Sequence, residues 1–199
     1  MSNILAISAG LSQPSSTRLL TDRLAAAARG ELGAETTVEV VELREHAHDI
    51  TDNLLTGFPN QRLRPVLEQL EAADGLILVS PTFSASYSGL FKSFMDLVEP
   101  ESVHDKPVLL GATGGTERHS LVLEHALRPL LAYLRAQVVP TAVYAASSDW
   151  GNDSDLNQRI TRAAGELASA VQRQPAQRKD DPFANPVPFE QLLQETATN

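Results

Sequence analysis

The amino-acid sequence predicts an α/β protein, a three-layer sandwich with a five-stranded parallel sheet of order 2-1-3-4-5. Three observations carry this. Short apolar runs alternate five times with stretches of helical periodicity, the pattern of a parallel sheet joined by right-handed crossovers. The central runs are apolar at successive positions, as in strands covered on both faces. The segments after the first, third and fourth runs are rich in hydroxyls and glycine, and in this strand order those segments are neighbours at the carboxyl edge of the sheet, where open α/β sheets bind ligands.

The first strand is residues 4–7, ILAI, and it opens into the loop SAGLSQPSSTR at 8–18. Leu20, Leu24, Ala27 and Ala28 give the next helix one apolar face, with Ser16 or Thr17 as its cap. The second strand is TVEVV at 37–41. Residues 43–60 read as a long polar connection carrying His46 and His48. A His-x-His pair can ligate a metal, but no third ligand accompanies it, so no metal site is assigned. Pro65 suits a first helical turn, and Val66, Leu67 and Leu70 carry that helix towards Asp74-Gly75.

The third strand, LILV at 76–79, stops at Ser80-Pro81. It delivers a loop with two aromatics, Phe83 and Tyr87, and then the helical set Leu90, Phe91, Phe94 and Leu97. The fourth strand, PVLLGA at 107–112, ends in Thr113-Gly114-Gly115-Thr116. Leu121 to Leu134 continue as a helix with Pro129 inside it, which must disturb the hydrogen bonding there. A local π-bulge near His125 is one way for a helix to absorb this. The fifth strand is residues 138–145, with Pro140 near its start as on an edge. The last helix begins at Ser154 or Asp155 and carries Leu156, Ile160, Ala163, Leu167 and Val171.

The bulk properties exclude several classes. Sixteen Lys plus Arg against 25 Asp plus Glu give a net charge of −9, unlike a nucleic-acid-backbone binder. There is no cysteine, hence no disulfide framework, thiolate metal site or cysteine nucleophile. No signal peptide and no apolar run of the ~20 residues that span a bilayer is recognised, so a cytoplasmic protein is expected. The lack of cysteine argues against a phosphotyrosine phosphatase. Ala6-Ile7-Ser8 at the end of the first strand lacks the acidic residues of a response-regulator receiver.

The first loop offers serines and helix N–H groups suited to a phosphate. It matches neither the ATPase loop nor the dinucleotide fingerprint, and read alone it is also an ordinary serine-rich cap. The other two loops suit a planar ring with polar edges. Together these describe FMN.

On SAGLSQPSSTRLL at 8–20, SPTFSASYSGLFKSFMD at 80–96 and GATGGTERHSLVLEHALRPLL at 111–131, the sequence resembles the NAD(P)H-dependent FMN reductases, a flavodoxin-like family. The likeness covers about residues 1–172, leaving 173–199 as a C-terminal tail or oligomerisation arm. It looks closest to reductases that supply reduced flavin to two-component, luciferase-like monooxygenases. The resemblance implies FMN as cofactor and NADPH or NADH as co-substrate. It implies that Ser8, Ser15, Ser16, Thr17 and Arg18 hold the phosphate, that Pro81, Thr82, Phe83 and Ser84 line the ring, and that Thr113, Gly114 and Gly115 close its other edge. Two departures stand out. The family often has tyrosine where Phe83 stands, and an arginine ahead of the serines rather than after them, as Arg18 is here.

No acid–base pair is implied, because hydride passes directly between the two rings. Arg118 and His119 either meet the nicotinamide nucleotide or simply start a solvated helix. Monooxygenase-coupled reductases are similar in carrying an aromatic residue or histidine at the position of His125, on a bulged interface helix, which suggests gating of flavin release. A homodimer or homotetramer is expected, since the tail bears Phe183, Val187, Phe189, Leu192 and Leu193. A quinone or azo-dye reductase and a non-enzymatic flavodoxin-type electron carrier are the alternatives.

Overall fold

The structure, a computed structural model, describes residues 2–151 and 153–174. At its centre lie β1 (Asn3–Ser8) and β3 (Gly75–Phe83), paired in parallel with Ile4 opposite Gly75 and Ser8 opposite Val79. β2 (Thr37–Glu42) flanks β1, and β5 (Pro107–Gly114) flanks β3, both in parallel. Beyond β5 lie two short strands, β6 (Gln137–Val138) and β7 (Val143–Ala146). The order is therefore the expected 2-1-3-4-5 with its last strand in two pieces, and β4 (Ser86–Tyr87) added as a short hairpin partner of β3.

The period-2 geometry of the strands divides the core in two. Ile4, Ala6, Ile77, Val79 and Leu109 face α1 (Ser16–Leu32) and α7 (Asp153–Arg173). Leu5, Ile7, Leu76, Leu78 and Leu110 face the opposite layer. That layer is built from α2 (Ala47–Thr56), α3 (Arg64–Ala72), α4 (Gly89–Met95), α5 (Pro100–Val103) and α6 (Arg128–Tyr133). Phe91 and Phe94 of α4 are wholly buried there, and truncating either to alanine would cost about 3–5 kcal/mol.

Four local differences from the sequence reading have physical causes. First, residues 43–60 are not a loop. A 3₁₀ turn, Leu43–His46, leads into α2, which Gly57 ends with a left-handed φ of 81°. Leu43 and Ile50 are buried anchors, masked in sequence by the polar residues between them. Among the described residues no cluster of metal-ligand type exists. His46 Nδ1 lies 3.6 Å from Asp49 Oδ2, and His48 is exposed.

Second, the last strand breaks around Pro140. Residues 139–142 stand opposite only 109–110 of β5. Proline has no N–H for the ladder, and the displaced backbone finds other partners. Arg128 donates to the carbonyls of Val139 and Pro140, and the Glu166 carboxylate accepts from Thr141 N at 2.6 Å and Thr141 Oγ1 at 2.8 Å.

Third, β3 continues past Ser80-Pro81 to Phe83. It then reverses through Ser84 and Ala85, at φ 47° and 63°, into β4. Left-handed φ at both central residues matches the twist that a two-residue hairpin needs. Fourth, α1 begins one residue earlier than expected: Ser15 is the cap, its Oγ accepting from Arg18 N at 3.2 Å.

The disturbance expected at Pro129 is present. Leu123–Leu127 form a π-helical turn in which Arg128 N reaches Leu123 O. The extra residue in this turn lets α6 restart at Arg128, with Pro129 in its first turn, where a missing N–H leaves no bond unmade. The tail residues Phe183, Val187, Phe189, Leu192 and Leu193 lie outside the described residues.

Candidate functional site

Three loops meet at the carboxyl edge of the sheet, after β1, β3 and β5, as the strand order requires. The first folds tightly onto the start of α1. A Cβ at Gly10 would collide with the Ser15 side chain and reach Thr17 Cβ at 3.1 Å. Ser15 serves as cap, Ser16 is exposed, and their neighbouring first-turn amides lie at the positive end of a 17-residue helix. Ser8 is fully buried and its Oγ has no hydrogen bond. Thr17 is turned inward, its Oγ1 2.8 Å from Thr113 Oγ1. Arg18 is held between two carboxylates, Nε to Asp22 at 2.8 Å and a terminal nitrogen to Glu42 at 2.7 Å. The hydrogen bond to Asp22 raises its pKa further. Of the five first-loop residues, Ser16 alone is exposed, Ser15 caps α1, Ser8 and Thr17 are buried, and Arg18 is ion-paired.

The second loop is the β3–β4 hairpin. Ser80 Oγ braces it from below, accepting from Ser88 N and donating to Pro81 O, both at 2.9 Å. Ser88 in turn caps α4 through Phe91 N. Pro81 and Thr82 are half-buried, and Phe83 and Ser84 are exposed at the tip, with Phe83 47 % accessible. An aromatic ring left to solvent at the tip of this loop offers a surface for a flat ligand. Thr82 Oγ1 is buried and makes no hydrogen bond.

The third loop is fixed by Tyr144 of β7, whose role the sequence reading missed because nothing local marks it. Its phenol donates to Thr116 O at 2.8 Å and packs so closely on Gly114 that a Cβ there would collide with the hydroxyl. Burial raises the phenol's pKa, and the adjacent Thr82 hydroxyl offsets this slightly without closing a bond. Space beside Gly115 is open, so a side chain there would meet no other part of the protein. Arg159 stabilises the arrangement from α7, donating to Tyr144 O and to Asp149, each at 2.6 Å.

The set fits FMN. It combines serine hydroxyls and amides at a helix start, unpartnered hydroxyls at Ser8 and Thr82, an exposed aromatic, and a glycine edge facing open space. A cavity of about 620 Å³ between α7 and β6 lies away from this edge. The Arg162–Glu166 ion pair forms part of its wall, and none of the three loops lines it.

The comparisons with known proteins agree. A family profile described as NADPH-dependent FMN reductase matches residues 2–151. An FMN reductase (NADPH) from Pseudomonas aeruginosa is 40 % identical over 171 residues, covering 83 % of this chain and 90 % of its own. The NADH-dependent FMN reductase SfnF from Pseudomonas fluorescens is 37 % identical over 169 residues, covering 83 % and 89 %. An oxidoreductase of solved structure from Corynebacterium diphtheriae superposes with a TM-score of 0.85 at 43 % identity, covering 88 % of this chain and 99 % of that one. Flavodoxins at lower identity share the fold. By its profile match, its relatives and its sheet order, the chain belongs to the NADPH-dependent FMN reductase family, with a flavodoxin-like fold.

Proposed function

We propose that the protein binds one FMN per subunit at the three-loop edge, reduces it with NADPH or NADH, and passes the reduced flavin to a separate monooxygenase. The convergence of the α1 start, the β3–β4 hairpin and the Gly114-Gly115 edge carries the reading. Flavin, when bound, supplies the hydride-accepting ring. Ser15, Ser16 and the first amides of α1 hold the phosphate. Ser8 and Thr17 support that loop from the interior, and Arg18 braces it through Asp22 and Glu42. Pro81, Thr82, Phe83 and Ser84 line one side of the ring. Thr113, Gly114 and Gly115 close the other, with Tyr144 fixing their height. The chain's task is to stack, orient and exclude water, a positioning role that needs no acid–base pair.

Transfer to a partner enzyme is supported by the π-turn at 123–127, beside β4, and by the exposed His125 on it. The same run of helix exposes Leu121 and Tyr133, at 61 % and 82 %. Leu55 and Phe58 expose 81 % and 77 %. Exposed apolar side chains on two separate elements suit the interfaces of a homodimer or homotetramer. Residues 1–172 form the reductase domain in this reading, and 173–199 an arm to a neighbouring subunit. No helix among the described residues is long and apolar enough to cross a membrane. A cytoplasmic location is part of this reading, because the proposed reaction consumes reduced nicotinamide nucleotides.

The test is an FMN titration of the purified protein by absorbance, followed by NADPH and NADH oxidation with free FMN in excess. Saturable binding of one flavin per subunit and steady turnover are expected. Binding without turnover would instead identify an electron carrier, and faster turnover with a quinone or azo dye than with FMN would reassign the acceptor.

A further inference from the structure

Resting on the reductase reading, we propose that Arg118 selects the phosphorylated dinucleotide by engaging the 2′-phosphate of NADPH. Three other arginines around these loops are already engaged. Arg18 is occupied by Asp22 and Glu42. Arg128 is occupied by Glu124 and two carbonyls. Arg159 is occupied by Asp149 and Tyr144 O. Arg118 is exposed, and among the described residues no carboxylate or carbonyl engages its guanidinium. Its backbone N–H alone bonds, to Thr116 Oγ1 at 3.4 Å.

The backbone that carries Arg118 is nonetheless fixed. Thr116 O accepts from both the Tyr144 phenol at 2.8 Å and His119 N at 3.3 Å, which anchors the 3₁₀ turn Glu117–His119 directly after the Gly114-Gly115 edge. An anchored turn with an unengaged guanidinium, close after the Gly114-Gly115 edge, presents a fork of donors suited to a phosphate. The net charge of −9 and the adjacent Glu117 disfavour a dianion in general, so one uncommitted cation has a large relative effect. NADH has a hydroxyl at that position and gains little from the same group.

Arg118→Ala and Arg118→Lys test this by two measurements. One is the ratio of kcat/KM for NADPH to that for NADH, with free FMN. The other is calorimetric binding of adenosine 2′,5′-bisphosphate and of 5′-AMP, which involves no flavin and no turnover. Loss of a charge-assisted hydrogen bond predicts a ~10–100-fold fall in the ratio for the alanine variant. The lysine variant should recover part of it. Bisphosphate binding should weaken by a similar factor, with 5′-AMP binding unchanged. An unaltered ratio, or a parent protein that binds the bisphosphate no tighter than 5′-AMP, overturns the assignment. Failure of the parent to oxidise either nucleotide with FMN would strike the reductase reading itself, a separate result.

Discussion

The hydroxyls of Thr17 and Thr113, 96 residues apart in sequence, meet at 2.8 Å in the interior. The contact joins the start of α1 to the end of β5, so the first and third loops of the site share one buried bond. Thr21 Oγ1 adds a bond to Thr17 O at 2.8 Å. Replacing either partner by valine keeps the shape and leaves one buried hydroxyl unpaired, at about 1–3 kcal/mol. The double replacement should cost less than the sum of the singles. Urea unfolding of all four proteins closes the cycle, and strict additivity would show that the contact contributes nothing.

Gly114 and Tyr144 form the second pair to break. Gly114→Ala drives a methyl into the phenol oxygen and should push the glycine edge outward, weakening FMN binding about tenfold, or ~1.4 kcal/mol. Adding Tyr144→Phe removes the obstructing oxygen and should recover part of that loss, although the bond to Thr116 O goes with it. A flavin titration of the single and double variants measures both effects.

Glu166 sets a pH dependence. Burial pushes its pKa up, but the Thr141 hydrogen bonds and Arg162 outweigh this, and the net shift is downward from 4.5. A carboxyl depressed in the folded state stabilises above its unfolded pKa, and that contribution disappears as pH falls through the lower folded value. Glu166→Gln should therefore lower unfolding free energy by about 1–2 kcal/mol at pH 7 and by almost nothing once the pH lies below the depressed folded value. Chemical denaturation at the two pH values gives the comparison.

His125→Ala addresses flavin release. The side chain is exposed on the π-turn, so the unfolding free energy should change by less than ~0.5 kcal/mol. Retention of FMN on gel filtration, and the subunit mass by light scattering, should both shift if the π-turn is an interface that controls exchange. A variant identical to the parent in both respects has no gating histidine.

Much of this was legible in the sequence because it is periodic or local. The apolar runs at 4–7, 76–79 and 107–112 state the buried strands, and their order places the three loops together. Pro129 announced the π-turn, since a proline in a helical stretch forces a local solution. What stayed hidden depends on distant partners. Thr17 looks like a phosphate donor until Thr113 is seen beside it, and Arg18 looks free until Glu42 arrives from the next strand. Tyr144 sits in an unremarkable strand, and only the fold brings it to Gly114. The helix at 47–56 escaped because Leu43 and Ile50 are too sparse among polar neighbours to show a stripe.

The pairing of α1 with α7 has a consequence for how the protein is made. The family signature ends at residue 151, but Leu156, Ile160, Ala163, Leu167 and Val171 lie beyond it and seal the same sheet face as Leu20 and Leu24. Val171 even reaches back to Gly75 at the start of the central strand. A nascent chain leaving the ribosome can therefore pair β1, β3 and β5 while one side of that sheet is covered by α1 alone. The three loops at the carboxyl edge acquire a complete base only after the last helix has been synthesised. Fragments cut at the family boundary should expose this apolar face and aggregate, and the smallest autonomous folding unit runs to about residue 173.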